Sequence, residues 1–309
     1  MCLKVFHFQA RENAVYKEYI DHLGMTPENI RQWKDIPFLP IELFKTHEVV
    51  CGQADGSLAI FTSSGTTGSA TSKHFVPDIR LYEKSFLKAF KMFYGDPSGW
   101  RILALLPSYL EREGSSLIYM VDRLITESED AGSGFFLDDF DRLREILLSE
   151  TKKKTLLIGV SFALLDFIEE EEISLKNTVV METGGMKGRR KEITRLELHK
   201  TLTKGFGLDA IHSEYGMTEL LSQAYSNGNG IYKAPPWMRV VIRDANDPLT
   251  ILPSGKSGGV NIIDLANLHS CSFIATSDLG KTHPDGSFEI LGRFDYSDVR
   301  GCNLMVAMD

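Results

Sequence analysis

Apolar residues recur at helical spacing over Ala10–Leu23, a run stopped by Gly24. They recur again over Leu81–Tyr94, where positions 86, 87, 90 and 93 form one stripe behind Pro77-Asp78. Between these, IPFLPIELFK carries two prolines and predicts an extended connector. WRILALLP from Trp100 reads as a short buried strand and Ser116–Thr126 as a helix. The pattern then alternates: helix Phe140–Ser149, strand Thr155–Val160, helix Phe162–Glu170, strand Thr178–Glu182, helix Arg189–Leu202, strand Asp209–Ser213. Such alternation predicts an α/β fold with parallel-rich sheets flanked by helices. After Gly228 the texture changes, and IYKAPPWMRVVIRD, GGVNIIDLA, SFIATSDLG and GSFEILGRFD read as short strands punctuated by Gly, Pro and Asp. The expected organisation is an α/β core over 1–227 and a smaller β-rich lobe with a short tail over 228–309.

Composition adds boundaries to this picture. A chain of 309 residues is long enough to bury a sizeable core as one large domain or two fused lobes. Its net charge of −8 creates no global field for nucleic acid or an anionic membrane. Any phosphate site must therefore be built locally, from backbone amides and a few cations. No stretch approaches a membrane span, and the N-terminus has no sustained apolar run, so a cytoplasmic enzyme without a signal peptide is expected. Cys2, Cys51, Cys271 and Cys302 are scattered, with no zinc-type spacing. His7, His22, His47, His199 and His269 show no metal-site arrangement either. EEEE at 169–172 reads as a solvated helix end, and GVSFA at 159–163 as a strand-to-helix turn rather than a nucleophile elbow.

The candidate chemistry begins at FTSSGTTGSATSKH, which follows the apolar stretch Leu58–Phe61. Ser63, Ser64, Thr66 and Thr67 offer hydroxyls, while Gly65 and Gly68 let backbone approach an anion closely. Lys73 and His74 follow and would add positive charge. The loop is not a Walker A motif, which needs Gly-Lys-Ser/Thr at fixed spacing. Three further motifs come in order: HSEYGMTE at 212–219, TSDLG at 276–280 and GRFDYSDVRG at 292–301.

This ordered set resembles the adenylate-forming superfamily of acyl- and aryl-CoA ligases, synthetase adenylation domains and luciferases, over about residues 58–301. The resemblance implies that Ser64, Gly65, Thr66, Thr67 and Gly68 hold the β- and γ-phosphates of ATP, with Lys73 nearby. It places Tyr215 and Gly216 along the adenine, Thr218 on the α-phosphate and Glu219 on Mg²⁺. Asp278 would accept from the ribose hydroxyls with Arg293 assisting, and Gly184-Gly185 resembles the family's adenine-side loop.

Two departures narrow the branch. The usual Pro-Lys after the glycine loop is replaced by SATSK, and the sequence ends eight residues after Gly301, where common members carry a mobile lid with a catalytic lysine. Together with LLPSYLEREGSSLIYMVDRLI and RGCNLMV, these resemble the acyl-protein synthetases of the bacterial bioluminescence fatty-acid reductase system. That resemblance implies activation of a fatty acid, its acceptance on Cys302, and transfer to a partner protein such as a reductase, carrier or transferase. A thiolate is a natural trap for the mixed anhydride of an acyl adenylate, and Arg300 would lower the thiol pKa if the two share a site. Three other readings stay open: a coenzyme A ligase that releases acyl-CoA, a module that binds an acyl adenylate or nucleotide without turnover, and a nucleotide-independent scaffold. Leu81–Tyr94, with its phenylalanines, reads as core, and Tyr109–Met120 as a site wall.

Overall fold

The structure is a computed structural model and describes residues 1–52, 59–63, 71–106, 114–185, 190–191 and 193–294. The chain opens with helices α1 (Cys2–Glu12) and α2 (Ala14–His22), strand β1 (Leu39–Pro40) and the short helix α3 (Leu43–Thr46). A hairpin of β2 (Ala59–Thr62) and β3 (Lys73–Val76) precedes α4 (Ile79–Tyr94), β4 (Trp100–Leu105) and α5 (Ser116–Ser128). Next come β5 (Gly134–Phe135), α6 (Phe140–Leu148), β6 (Lys154–Val160), α7 (Ser161–Glu170), β7 (Thr178–Thr183), α8 (Arg195–Phe206), β8 (His212–Tyr215) and β9 (Ala224–Ser226). The chain continues through β10 (Ile231–Tyr232), β11 (Met238–Arg243), β12 (Ser257–Asp264), β13 (Phe273–Thr282) and β14 (Phe288–Arg293).

Two sheets dominate. The first runs β5-β4-β6-β7-β8-β9, parallel throughout except for the antiparallel edge pair β8–β9. Near-continuous apolar runs such as ILALL at 102–106 and LLIGV at 156–160 form it because parallel strands are covered on both faces. Helices α4, α5, α7 and α8 pack their apolar stripes into the same core, with Phe86, Phe90, Phe162 and Phe206 fully buried. The second sheet is antiparallel, ordered β10-β14-β13-β12-β11, with β1 added parallel to β13. The expected α/β architecture with a β-rich second part is what the chain adopts.

The second sheet has its own core, and residues 5–49 belong to it. Val5, Phe6, Tyr16, Ile20 and Phe38 bury with Val241, Ile262, Phe273 and Phe288. The first helix differs from the reading of the pattern. Instead of one helix over Ala10–Leu23 there are two, broken at Asn13, whose φ of −101° and ψ of 107° leave the helical region. Asn13 accepts from the Tyr16 backbone amide as an N-cap and donates to the Ser270 carbonyl, so a long-range partner fixes the break. Gly24, at φ +65°, ends α2 as expected. Helix α8 starts at Arg195 rather than Arg189, because Thr194 and Glu197 close a capping box there. Among the described residues no helix is long and apolar enough to cross a membrane.

Candidate active site

Ligands of open α/β sheets bind outside the carboxyl ends of parallel strands. In this chain β7 ends at Thr183 and turns through Gly184-Gly185, and β8 ends at Tyr215 and turns through Gly216 to Glu219. Gly184 needs its freedom, with φ at +69°. At Gly216 a Cβ would lie 2.5 Å from Glu214 Oε1, so a larger residue would displace that carboxylate. Strands β13 and β14 of the second sheet bring Asp278 and Arg293 to this edge as direct cross-strand partners.

The two sheets meet in one hydrogen-bonded group. The Tyr215 hydroxyl donates to Asp278 Oδ2 at 2.7 Å, and Arg293 Nε donates to Asp278 Oδ1 at 3.1 Å. The Asp278 backbone amide donates to Thr276 Oγ1 at 3.1 Å, which fixes the carboxylate's origin. Burial, then the Asp278 charge, push the Tyr215 phenol up, so it remains a neutral donor. The Arg293 side chain is 79% exposed, so its ion pair with buried Asp278 adds little stability and leaves the guanidinium facing solvent.

Glu219 is buried, and burial raises its pKa. A hydrogen bond with Ser72, its own backbone amide and the charges of Arg293 and Lys45 oppose that rise. Lys45, on α3, is a cation near the site that no sequence motif singled out. The carbonyl of Thr218 accepts from His74 Nδ1 at 2.8 Å. Lys73 is exposed at the start of β3, opposite Thr62. His74 corrects the expectation of a second positive charge. It is fully buried, and desolvation pushes its pKa down to about 4, so the ring is neutral at pH 7.

Ser64, Gly65, Thr66, Thr67, Gly68 and Cys302 lie outside the described residues, as do Arg300 and the 109–113 part of Tyr109–Met120. The neck of the glycine loop is described. Ser63 and Ser72 close it, Ser63 N donating to the Ser72 carbonyl at 3.0 Å and Ser72 N to Ser63 Oγ at 2.8 Å.

Pleating separates two further polar groups that the sequence reading did not single out. Register pairs Glu182 with Ser213 and Thr183 with Glu214, so the two glutamates face opposite sides of the sheet. On one side, Glu182 lies 3.4 Å from His199 Nε2 and 3.5 Å from Arg195 Nε. Beside it Ser161 Oγ donates to the Gly184 carbonyl at 3.1 Å and braces that turn. On the other, Glu214 accepts from Thr183 Oγ1 at 2.6 Å, and burial pushes its pKa up to about 7. Neither β7 (TVVMET) nor β8 (HSEY) alternates polar and apolar residues, so no local pattern singled out either glutamate.

The family match decides what this edge belongs to. The sequence matches the family model for acyl-protein synthetase, LuxE, over residues 108–309, which include Tyr215, Glu219, Asp278 and Arg293. The chain belongs to the LuxE acyl-protein synthetase family. No protein of curated function matches the sequence. Among solved structures, this LuxE-family chain is similar in fold to ATP-bound MatB from Rhodopseudomonas palustris, at TM-score 0.60 and 19% identity over 79% of this chain and 50% of that one. It is also similar to an open conformation of 2-hydroxyisobutyryl-CoA ligase in complex with 2-HIB-AMP and CoA, at TM-score 0.67 and 12% identity over 95% and 73%. A luciferase-like enzyme from the nonluminescent mealworm Zophobas morio matches at TM-score 0.52 and 16% identity over 82% and 61%. The LuxE-family chain thus spans about half the length of MatB. At these identities the likeness is one of fold: the adenylate-forming ligase core with its β-rich second part.

Proposed function

We propose that this chain uses ATP to activate a fatty or other carboxylic acid as an acyl adenylate, then carries the acyl group on Cys302 to a partner protein. The observation that carries the reading is the junction of Tyr215, Asp278 and Arg293 at the carboxyl edge of a parallel sheet, with Glu219 buried beside the neck of the glycine loop. Membership of the LuxE family and the fold shared with an ATP-bound ligase support it.

In this reading the loop Ser64–Gly68 and Lys73 hold the β- and γ-phosphates, and Gly184-Gly185, Tyr215 and Gly216 enclose the adenine. Asp278 retains free lone pairs for ribose hydroxyls while Tyr215 and Arg293 hold it still. Thr218 donates to the α-phosphate. Among the described residues no three His, Cys, Asp or Glu side chains group as a metal site. One carboxylate plus substrate phosphates is nonetheless the donor set Mg²⁺ prefers, and Glu219, buried beside the neck of the glycine loop with Arg293 and Lys45 near it, is the carboxylate that fits that role. When bound, Mg²⁺ supplies charge neutralisation at the phosphates.

The substrate carboxylate oxygen attacks the α-phosphorus, the P–O bond to pyrophosphate breaks, and pyrophosphate leaves with the electron pair. The Cys302 thiolate then attacks the acyl carbon, a C–S bond forms, and AMP departs as the C–O bond breaks. The thiol proton goes to solvent before attack. A partner thiol or reductase takes the acyl group from the thioester.

The test is acid-dependent ATP–pyrophosphate exchange across medium- and long-chain acids. Exchange is expected with at least one of them, and none with any would overturn the first step. Labelled acid plus ATP should leave hydroxylamine-labile label on the protein, absent in Cys302→Ser. Label that survives the substitution removes Cys302 from the mechanism, and release of free acyl-CoA on adding coenzyme A favours the CoA-ligase alternative.

A further inference from the structure

Thr218 and Glu219 leave the end of β8 in a turn outside any strand ladder, so their carbonyls need partners elsewhere. Two side chains supply them. His74 Nδ1 meets the Thr218 carbonyl at 2.8 Å, and Asn267 Nδ2 donates to the Glu219 carbonyl at 2.8 Å. The two side chains adjoin, His74 Nε2 lying 3.0 Å from Asn267 Oδ1. A carbonyl only accepts, so the single proton of the neutral ring sits on Nδ1, and the approach of Nε2 to the Asn267 oxygen, also an acceptor, is a packing contact and not a hydrogen bond.

The pair is anchored from outside. Gln9 Nε2, on α1, donates to the Asn267 carbonyl at 2.9 Å, and the Asn267 amide donates to the Asp264 carbonyl at 3.1 Å. The rings of His74 and Phe44 meet nearly perpendicular, with centroids 5.7 Å apart. Gln9, His74 and Asn267 are all buried. His74 also sits two residues past Ser72, which closes the neck of the glycine loop. One buried group thereby ties that neck to the Thr218–Glu219 turn.

We infer that His74, with Asn267 behind it, is a positioning residue that fixes the Thr218–Glu219 turn relative to the neck of the 63–72 loop. This rests on the adenylation reading for its functional consequence, but not for its structural one. Displacing a reacting geometry by about 1 Å costs on the order of 100-fold in rate. The effect belongs in kcat, because both side chains are buried behind the turn and act through its backbone carbonyls.

The variants separate the two contacts. An asparagine amide reaches the place of Nδ1, a glutamine amide that of Nε2. His74→Ala should lower kcat of acid-dependent exchange by about 10- to 100-fold with KM for ATP changed less than about threefold. His74→Asn should recover most of kcat, and His74→Gln little. Phe44→Leu loosens the same packing without touching either hydrogen bond and should leave kcat within about twofold. Hydrogen exchange of the peptide covering 216–222 gives a readout independent of activity. It should be at least about tenfold faster in His74→Ala and near wild type in His74→Asn. Unchanged exchange of that peptide overturns the inference. So does equal loss of kcat in His74→Asn and His74→Ala, or in Phe44→Leu and His74→Ala. A wild-type chain without pyrophosphate exchange refutes adenylation, while the hydrogen-exchange comparison still decides the role of His74.

Discussion

Glu214 holds its carboxyl in a buried site opposite Tyr225 on the neighbouring strand, with Thr183 as its hydrogen-bond donor. Desolvation outweighs that bond and the folded pKa rises to about 7 from 4.5. Between those values the unfolded chain has released the proton and the folded chain still binds it. Stability from this group is therefore full below pH 4.5 and is lost as pH rises to 7, by on the order of 3 kcal/mol. Glu214→Gln should grow more stable relative to wild type across pH 4.5 to 7 and keep a constant advantage above it, as read by urea unfolding at each pH. Tyr215 gives a second test. Among the described residues its hydroxyl is one of two side-chain donors to buried Asp278. Tyr215→Phe should cost about 2 kcal/mol in denaturant unfolding, since the lost bond is to a charged group. Of these residues, Tyr215, Asp278 and Arg293 were legible as motif members. Glu214, one position away, was not, because its role depends on which face of β8 turns inward.

Among the secondary-structure elements, periodicity located most helices and strands within a few residues. Its failures have identifiable causes. The Thr194–Glu197 capping box was present in the sequence, yet the helical pattern running back to Arg189 obscured it. Thr194→Ala should lower stability by about 1 kcal/mol, measured by thermal or urea unfolding. The break at Asn13 was not legible at all, because the Ser270 carbonyl that receives its amide is distant in sequence. Likewise KHFV at 73–76 forms a short strand, and pattern alone did not tell that His74 is buried while Lys73 is exposed.

Across the molecule, the chain's first residues and its last described strands share one core, and Gln9 links them. Its amide donates to the carbonyls of Asn267 and Leu268, and its oxygen accepts from the Ser272 amide at 2.9 Å. Gln9→Ala would leave several buried groups unpaired, so a loss of about 3 kcal/mol is expected in equilibrium unfolding. The His74 group predicts that hydrogen exchange in 216–222 should also quicken in this variant, although Gln9 lies in another sheet's core.

Residue spacing alone was enough to establish the alternation of apolar runs and hence the α/β class. It also carried the order of the glycine loop and the YGMTE, TSDLG and GRFD motifs, since both are local properties of the chain. Folding settled the rest: that Asp278 receives both Tyr215 and Arg293, that His74 is a neutral buried link rather than a phosphate cation, and that the N-terminal helices belong to the antiparallel sheet. Each of those depends on desolvation and on partners distant in the chain, and neither is written in local pattern.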